Sequence, residues 1–381
     1  MFLKAKKALP LLRLHGRTVF DEKRQALFFN WTCAGFTVCF RGRVLRARLV
    51  ALPDAAPVFP GMPPLPPIYP YFGVAADGSE RLTNCRVLTE PDEWLTLFEG
   101  EAGEHSVRAV KLSEANRGKT GLLELETDGE LLPAPAERDK PRIEIVGDSI
   151  SCGLGNRTAD GGVNVAPDEE DGWMSYGALA ARELGCEWSI VAESGIEVSR
   201  PEKPFFEKHG MDEIYADTDE LFDSYRGAAP GKWDFAAHHS DAVVINLGTN
   251  DGNTIRFYPE LGLSIDDVPA MEAHFQAKYL AFLRTVRALN GPEPLIVCTL
   301  GTMDYYLWDR LCAAVEDYRK ESGDRRVVTF KFVGINGMTE GMGAGGHPSL
   351  KTHVRMGREL ASLLKPWLSG ADGESGIRLH F

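Results

Sequence analysis

Four short apolar runs, each stopping at a turn, constrain the fold of this chain more than any other feature. Arg142-Ile143-Glu144-Ile145-Val146 runs into Gly147-Asp148-Ser149-Ile150. Trp188-Ser189-Ile190-Val191-Ala192 stops at Ser194-Gly195, and Ala242-Val243-Val244-Ile245-Asn246-Leu247 at Gly248-Thr249-Asn250-Asp251. Residues 294–300 form the fourth run. Near the C-terminus, Gly345-Gly346-His347-Pro348-Ser349 leads into a helical pattern. Nearly continuous Val/Ile/Leu runs that alternate with helical stretches build a parallel sheet covered on both faces. Ligands bind such sheets outside the carboxyl ends of the strands, which is where these turns fall.

The residue types at those turns suit acyl transfer. That chemistry needs a nucleophile, a base to take its proton, and donors for the developing oxyanion. Ser149, at a strand end with Gly153 and Gly155 just beyond, is the candidate nucleophile, and His347 is the candidate base. The candidate oxyanion donors are the Ser149 N–H, the Gly195 N–H and the side-chain amide of Asn250. Glycine suits the middle role because a side chain there would crowd the acyl group. Asparagine donates without carrying a charge.

Gly147-Asp148-Ser149, Gly195, Gly248-Thr249-Asn250 and His347 stand in the order of the SGNH (GDSL) hydrolases, which residues 140–368 resemble. The resemblance implies a flavodoxin-like three-layer α/β/α fold, no cofactor, and the roles just given for Ser149, Gly195, Asn250 and His347. One departure stands out. Most members place an Asp three residues before the histidine, and here that position is Ala344. A backbone carbonyl of the glycine-rich segment, Asp304 or Glu340 are the candidates to orient the imidazole, and a Ser-His dyad is the simplest reading.

Residues 1–125 follow another rule. Phe36–Phe40, Leu45–Leu49 and Val107–Leu112 alternate apolar and polar residues, and Asp77-Gly78 reads as a turn between strands. Period-two strands separated by turns predict an antiparallel β-sandwich. The stretch 53–70 is rich in proline and reads as a long loop. Arg17-Thr18-Val19-Phe20, Leu27-Phe28-Phe29-Asn30-Trp31, Gly35-Phe36 and the stretch from His105 to Ala115 resemble the N-terminal jelly roll of the family-two carbohydrate esterases. In that family the jelly roll precedes an SGNH domain. The resemblance implies removal of acetyl groups from sugars, often at the primary 6-position of mannose or glucose units, commonly by a Ser-His dyad. The expected domains are a sandwich over 1–130, a linker over 131–139, the hydrolase unit over 140–370 and a tail over 371–381. The alternatives are a general short-chain or lysophospholipase-like SGNH esterase, and a carbohydrate-binding module that has lost its catalysis.

Bulk properties narrow the partners. A net charge of -13 without a long basic run argues against nucleic acid. No apolar stretch reaches the roughly 20 residues that span a bilayer. The basic start is broken by Pro10 and Arg13, which makes a poor signal peptide. Seven scattered cysteines read as reduced thiols and a cytoplasmic protein. The oligomeric state is not legible.

Several features have plainer readings. Gly153-Leu154-Gly155 lacks the third glycine of a dinucleotide fingerprint. His238-His239 are adjacent, so they cannot both readily face one metal, and a solvated loop is expected. Asp168-Glu169-Glu170-Asp171 lacks the spacing of a calcium loop and reads as a solvated acidic turn. Cys152 reads as a packed thiol. The segment from Met303 to Trp308 follows the fourth run, so Tyr305 and Trp308, with Asp148, are candidate sugar contacts, since aromatics stack on sugar faces. Helix packing is the competing reading for the two aromatics.

Overall fold

The computed structural model describes residues 1–55, 66–135, 140–158, 162, 165–202 and 208–369. The middle of the proline-rich loop, the end of the expected linker and the expected tail lie outside the described residues.

Among the described residues the first third forms one curled antiparallel sheet. Its strands are β1 (Phe2–Lys4), β2 (Arg13–His15), β3 (Val19–Asp21), β4 (Ala26–Phe28), β5 (Gly35–Leu52), β6 (Tyr71–Ala76), β7 (Thr83–Val87), β8 (Asp92–Lys111), β9 (Lys119–Thr127) and β10 (Glu130–Leu132). Their order is β3-β4-β9-β5-β8-β6-β7, with β2 and β10 also pairing β5, and β1 pairing β9. The two strands expected at Phe36–Phe40 and Leu45–Leu49 are halves of the single strand β5. Its register against β8 slips between Gly42 and Val44 and again between Leu45 and Arg46. Such irregularities bend and twist a strand. The first half of β5 therefore pairs with β2 and β10, and the second half with β9. Phe36, Val38 and Phe40 from one half share a core with Leu45, Ala47 and Leu49 from the other.

The rest of the chain builds a parallel sheet of β11 (Arg142–Gly147), β12 (Glu187–Ala192), β13 (Ala242–Asn246), β14 (Leu295–Leu300) and β15 (Val327–Lys331). Their order, β12-β11-β13-β14-β15, is the flavodoxin-like one. Side chains alternate between the two faces. Ile143, Ile145, Val244 and Val297 meet the helices Tyr176–Glu183 and Leu350–Leu368 on one side. Val146, Val243, Ile245 and Leu300 meet Val268–Asn290 and Trp308–Ser322 on the other. β15 was not among the expected runs. It is an edge strand whose later residues are only partly buried, so its composition is less apolar.

The two sheets share one core cluster, which continues from Phe29 and Trp31 into Ile214, Tyr215 and Phe282. Arg17, fully buried, crosses the junction. It donates to the carbonyls of Tyr215 and Asp217 at 2.6 and 2.5 Å and pairs with Glu144 of β11 at 3.0 Å. The second oxygen of Glu144 accepts the Tyr215 hydroxyl at 2.6 Å. A buried pair of this kind costs about 3–5 kcal/mol to break from one side, so it holds the sheets in register with one another. No helix among the described residues is long and apolar enough to cross a membrane.

Candidate active site

The strand order reverses between β11 and β13, and such reversals open a crevice at the carboxyl ends of the strands. Ser149 follows β11, Asn250 follows β13, and Gly195 follows β12 on the other flank. Gly147 is paired with both neighbours, Ala192 and Asn246, so the three turns leave the sheet side by side. Gly147 has to be glycine because a Cβ there would lie 2.0 Å from the Ser151 hydroxyl. That closeness lets the chain turn at once into the one-turn helix Ser149–Cys152. Asp148 caps this helix, accepting the Ile150 N–H at 2.9 Å.

His347 meets Ser149 from the other end of the sequence. Its Nε2 lies 2.8 Å from the Ser149 Oγ, and its Nδ1 lies 2.8 Å from the carbonyl oxygen of Ala344. A carbonyl only accepts, so Nδ1 carries the proton and Nε2 presents a lone pair to the serine hydroxyl. The carbonyl comes from the residue three before the histidine, the position where the SGNH resemblance implies an orienting Asp. Burial holds the imidazole pKa below its usual 6.5, opposed in part by the Ala344 carbonyl and the charge of Glu114. The ring is therefore neutral at neutral pH and able to accept a proton.

The histidine loop rests on Gly155. The Ala344 N–H donates to the Gly155 carbonyl at 3.1 Å, and a Cβ on Gly155 would lie 2.5 Å from the Ala344 Cβ. Gly155 also sits at φ +64°, where side chains are disfavoured. The glycines after the serine thus let the histidine loop approach. Neither carboxylate weighed for orienting the ring contacts it. Asp304 pairs with Arg256 at 2.7 Å, and Glu340 with Arg355 at 2.6 Å and the Thr352 hydroxyl at 2.9 Å.

Asn250 is tied to the Gly195 turn. One of its two amide N–H groups donates to the carbonyl of Ile196 at 2.9 Å, tying it to the residue after Gly195. The second N–H is the candidate oxyanion donor. Gly195 has φ +81°, a left-handed conformation that favours glycine.

The three expected sugar contacts have partners within the fold. Asp148 is 1% exposed and is used as a helix cap. Desolvation pushes its pKa up to about 7. The Tyr305 hydroxyl donates to the Phe332 carbonyl at 2.6 Å, and Trp308 packs beside Lys331; both rings are partly buried. The exposed ring of this segment is Tyr306, set against Gly252 two residues beyond Asn250. The acidic run is not a solvated turn either. Asp168 is exposed, but Glu170 and Asp171 are fully buried. Glu170 accepts the Glu114 N–H at 2.6 Å, and Asp171 accepts from Arg157 at 2.6 Å. Desolvation pushes the Glu170 pKa up to about 8. Cys152 is buried, and all seven cysteines are free. No group of three or more metal-ligating side chains occurs among the described residues.

Sequence reasoning missed Glu114, which lies in the loop after β8 of the antiparallel sheet and reaches the turn that carries Gly195. It lies in the His105–Ala115 stretch that pointed to the jelly roll, but no local pattern shows where its carboxylate goes.

A family model described as Carbohydrate esterase 2 N-terminal matches residues 14–135. The Cellulase/esterase CelE of Acetivibrio thermocellus is 31% identical over 272 residues, which cover 69% of this chain and 30% of that protein. An Acetylxylan esterase / glucomannan deacetylase of Cellvibrio japonicus is 26% identical over 204 residues, 51% of this chain and 52% of that protein. The chain therefore spans about a third of the first curated relative and about half of the second. Among solved structures, a family two carbohydrate esterase from Clostridium thermocellum in complex with cellohexaose matches with a TM-score of 0.77 at 26% identity, covering 94% of this chain and 99% of that one. Est2A, an acetyl xylan esterase from Butyrivibrio proteoclasticus, matches with a TM-score of 0.81 at 21% identity, covering 97% and 98%, a likeness of fold.

Proposed function

The chain is an SGNH hydrolase of the family-two carbohydrate-esterase type, and from that premise we propose that it is a serine esterase removing O-acetyl groups from sugars. The substrates are acetylated oligosaccharides, at the 6-O position of mannose or glucose units or on xylose-based glycans. The observation that carries the reading is the unbroken chain from the Ala344 carbonyl through His347 to the Ser149 hydroxyl. CelE lends esterase activity by similarity, and the acetylxylan esterase / glucomannan deacetylase lends the acetyl-ester chemistry.

In this mechanism His347 Nε2 takes the proton of Ser149 as Oγ attacks the acetyl carbonyl. The oxyanion is met by the N–H groups of Ser149 and Gly195 and by the Asn250 amide. The imidazolium returns its proton to the departing sugar oxygen, leaving an acetyl-enzyme. His347 then deprotonates a water that releases acetate. The pair acts as a dyad: a carbonyl fixes the tautomer without the charge that an Asp would bring. No step calls for a metal or an organic cofactor. The free cysteines support placing the protein in the cytoplasm, and the two sheets support domains over 1–130 and 140–370.

The test is acetate release from acetylated cello-, manno- and xylo-oligosaccharides by wild type and Ser149→Ala. Loss of the nucleophile from such a cooperative unit costs on the order of a millionfold. A folded Ser149→Ala protein that keeps a substantial share of the rate removes Ser149 from the mechanism.

A further inference from the structure

The turn that carries Gly195 is gripped from outside the hydrolase unit. Glu114, just past the end of β8, is 1% exposed. Its Oε2 accepts the Ser194 N–H at 2.6 Å, and its Oε1 accepts the Ser194 hydroxyl at 2.6 Å. Two residues on, the Asn116 amide donates to the carboxylate of Glu193 at 3.0 Å. The same short loop thus holds both residues that precede Gly195.

The loop is itself anchored. The buried Lys111 ammonium donates to the carbonyls of Ser113 and Glu114. The Glu114 N–H donates to Glu170, which faces Arg117 at 3.0 Å, and the Leu112 carbonyl accepts the Gly172 N–H at 2.8 Å. The thiol of Cys152, on the helix that begins with Ser149, lies 3.8 Å from Glu114 Oε2. The Glu114 carboxylate therefore lies beneath both the serine helix and the Gly195 turn.

Burying a carboxylate is costly unless its hydrogen bonds repay it. Here both oxygens are committed to one residue. The bond to the Ser194 N–H fixes the Glu193–Ser194 peptide plane, and the bond to the hydroxyl fixes the Ser194 side chain. Only the two soft backbone torsions of Ser194 separate that plane from the peptide bearing the Gly195 N–H. An oxyanion donor is effective to the extent that it is held in place before the reaction.

We propose that Glu114 is a positioning residue for the oxyanion hole: its carboxylate clamps Ser194 and so aims the Gly195 N–H at the acetyl oxyanion. The inference rests on the esterase reading of Ser149, His347 and Gly195. It makes the antiparallel sheet part of the catalytic apparatus, in addition to any part it has in holding sugar.

The experiment compares Glu114→Gln, Glu114→Ala and Ser194→Ala with wild type in the full chain. It measures kcat and KM for 4-nitrophenyl acetate, and thermal unfolding to define the folded fraction. Glutamine can keep both contacts: its carbonyl accepts the Ser194 N–H, and its NH2 donates to the Ser194 hydroxyl. The expected result is a kcat loss of about 10–10²-fold in Glu114→Ala with KM little changed, a part of the loss of a whole donor. Glu114→Gln recovers most of the rate. Ser194→Ala, which removes one of the two bonds, falls between. If Glu114→Ala does not fold, the same ordering of wild type, glutamine variant and Ser194→Ala carries the test. Wild-type kcat in Ser194→Ala and Glu114→Ala, a loss confined to KM, or a glutamine variant as impaired as the alanine one overturns the clamp. Failure of the esterase reading is distinct, because wild type and Ser149→Ala would then turn over alike.

Discussion

Gly155→Ala is the substitution for which the structure supplies the fullest arithmetic. The added Cβ would sit 2.5 Å from the Ala344 Cβ, 2.9 Å from its nitrogen and 3.1 Å from its Cα. Carbon atoms pack at about 3.5–4.0 Å, so the histidine loop must retreat by roughly 1 Å. The left-handed backbone at Gly155 adds about 1–2 kcal/mol for any side chain. Overpacking adds about 1–3 kcal/mol, for a total loss of about 2–5 kcal/mol. A retreat of Ala344 carries its carbonyl away from His347 Nδ1, and a misplacement of about 1 Å costs on the order of 10²-fold in rate. Gly323→Ala is the control. Its φ is +70° with nothing near the added Cβ, so it carries the backbone cost alone, far from the site. Thermal unfolding and 4-nitrophenyl acetate kinetics, run together, separate the two costs. A Gly155→Ala enzyme that loses stability but keeps kcat within about threefold of wild type would refute the claim that the Ala344 carbonyl positions the base, because the 1 Å retreat predicts far more.

Three further outcomes follow from the same geometry. Asn250→Ala lowers kcat by about 10²–10³ with a smaller change in KM, because its donor acts on charge that develops in the transition state; a pure KM effect would make it a substrate contact. Asp304→Asn and Glu340→Gln, whose partners are Arg256 and Arg355 rather than His347, keep kcat within about tenfold of wild type, against the roughly 10⁴ that disrupting a triad carboxylate costs. The third concerns pH. A protonated His347 cannot accept from Ser149, so kcat/KM falls as pH drops through the pKa of the ring. Burial holds that pKa below 6.5, so the acid limb is centred below pH 6.5; a limb centred above it contradicts the environment described for the ring.

Much of the site was legible because its residues sit at strand ends, where local patterns show. The runs before Ser149, Gly195 and Asn250 are buried on both faces, and continuous apolar composition marks such strands. β15 escaped notice for the opposite reason, since an edge strand has less surface to bury. In β5, the polar residues around Gly42 read as a break between strands. They are the place where one strand bends, and only pairing with β8 distinguishes the two. The missing Asp at Ala344 pointed toward a backbone carbonyl, but every carbonyl of a glycine-rich segment looks alike in a sequence. Asp148, Tyr305 and Trp308 suit sugar contact by chemistry and position, and their partners in the fold, the Ile150 N–H, the Phe332 carbonyl and the Lys331 ammonium, carry no local sequence signal. Glu170 and Asp171 read as solvated because acidic residues mostly are, yet Arg117 and Arg157 face them. Glu114 shows the limit most plainly, as its partner Ser194 lies 80 residues away, in the turn after β12.

The central claim is that Ser149 carries the acetyl group between substrate and water. Its most direct test is rapid acid quench of wild type during turnover of an acetylated oligosaccharide, followed by peptide mass mapping. The account predicts an acetyl group on the Ser149 hydroxyl, absent from Ser149→Ala and from His347→Ala. Acetylation at another residue that forms and decays at the rate of turnover, or steady turnover by Ser149→Ala, would contradict it.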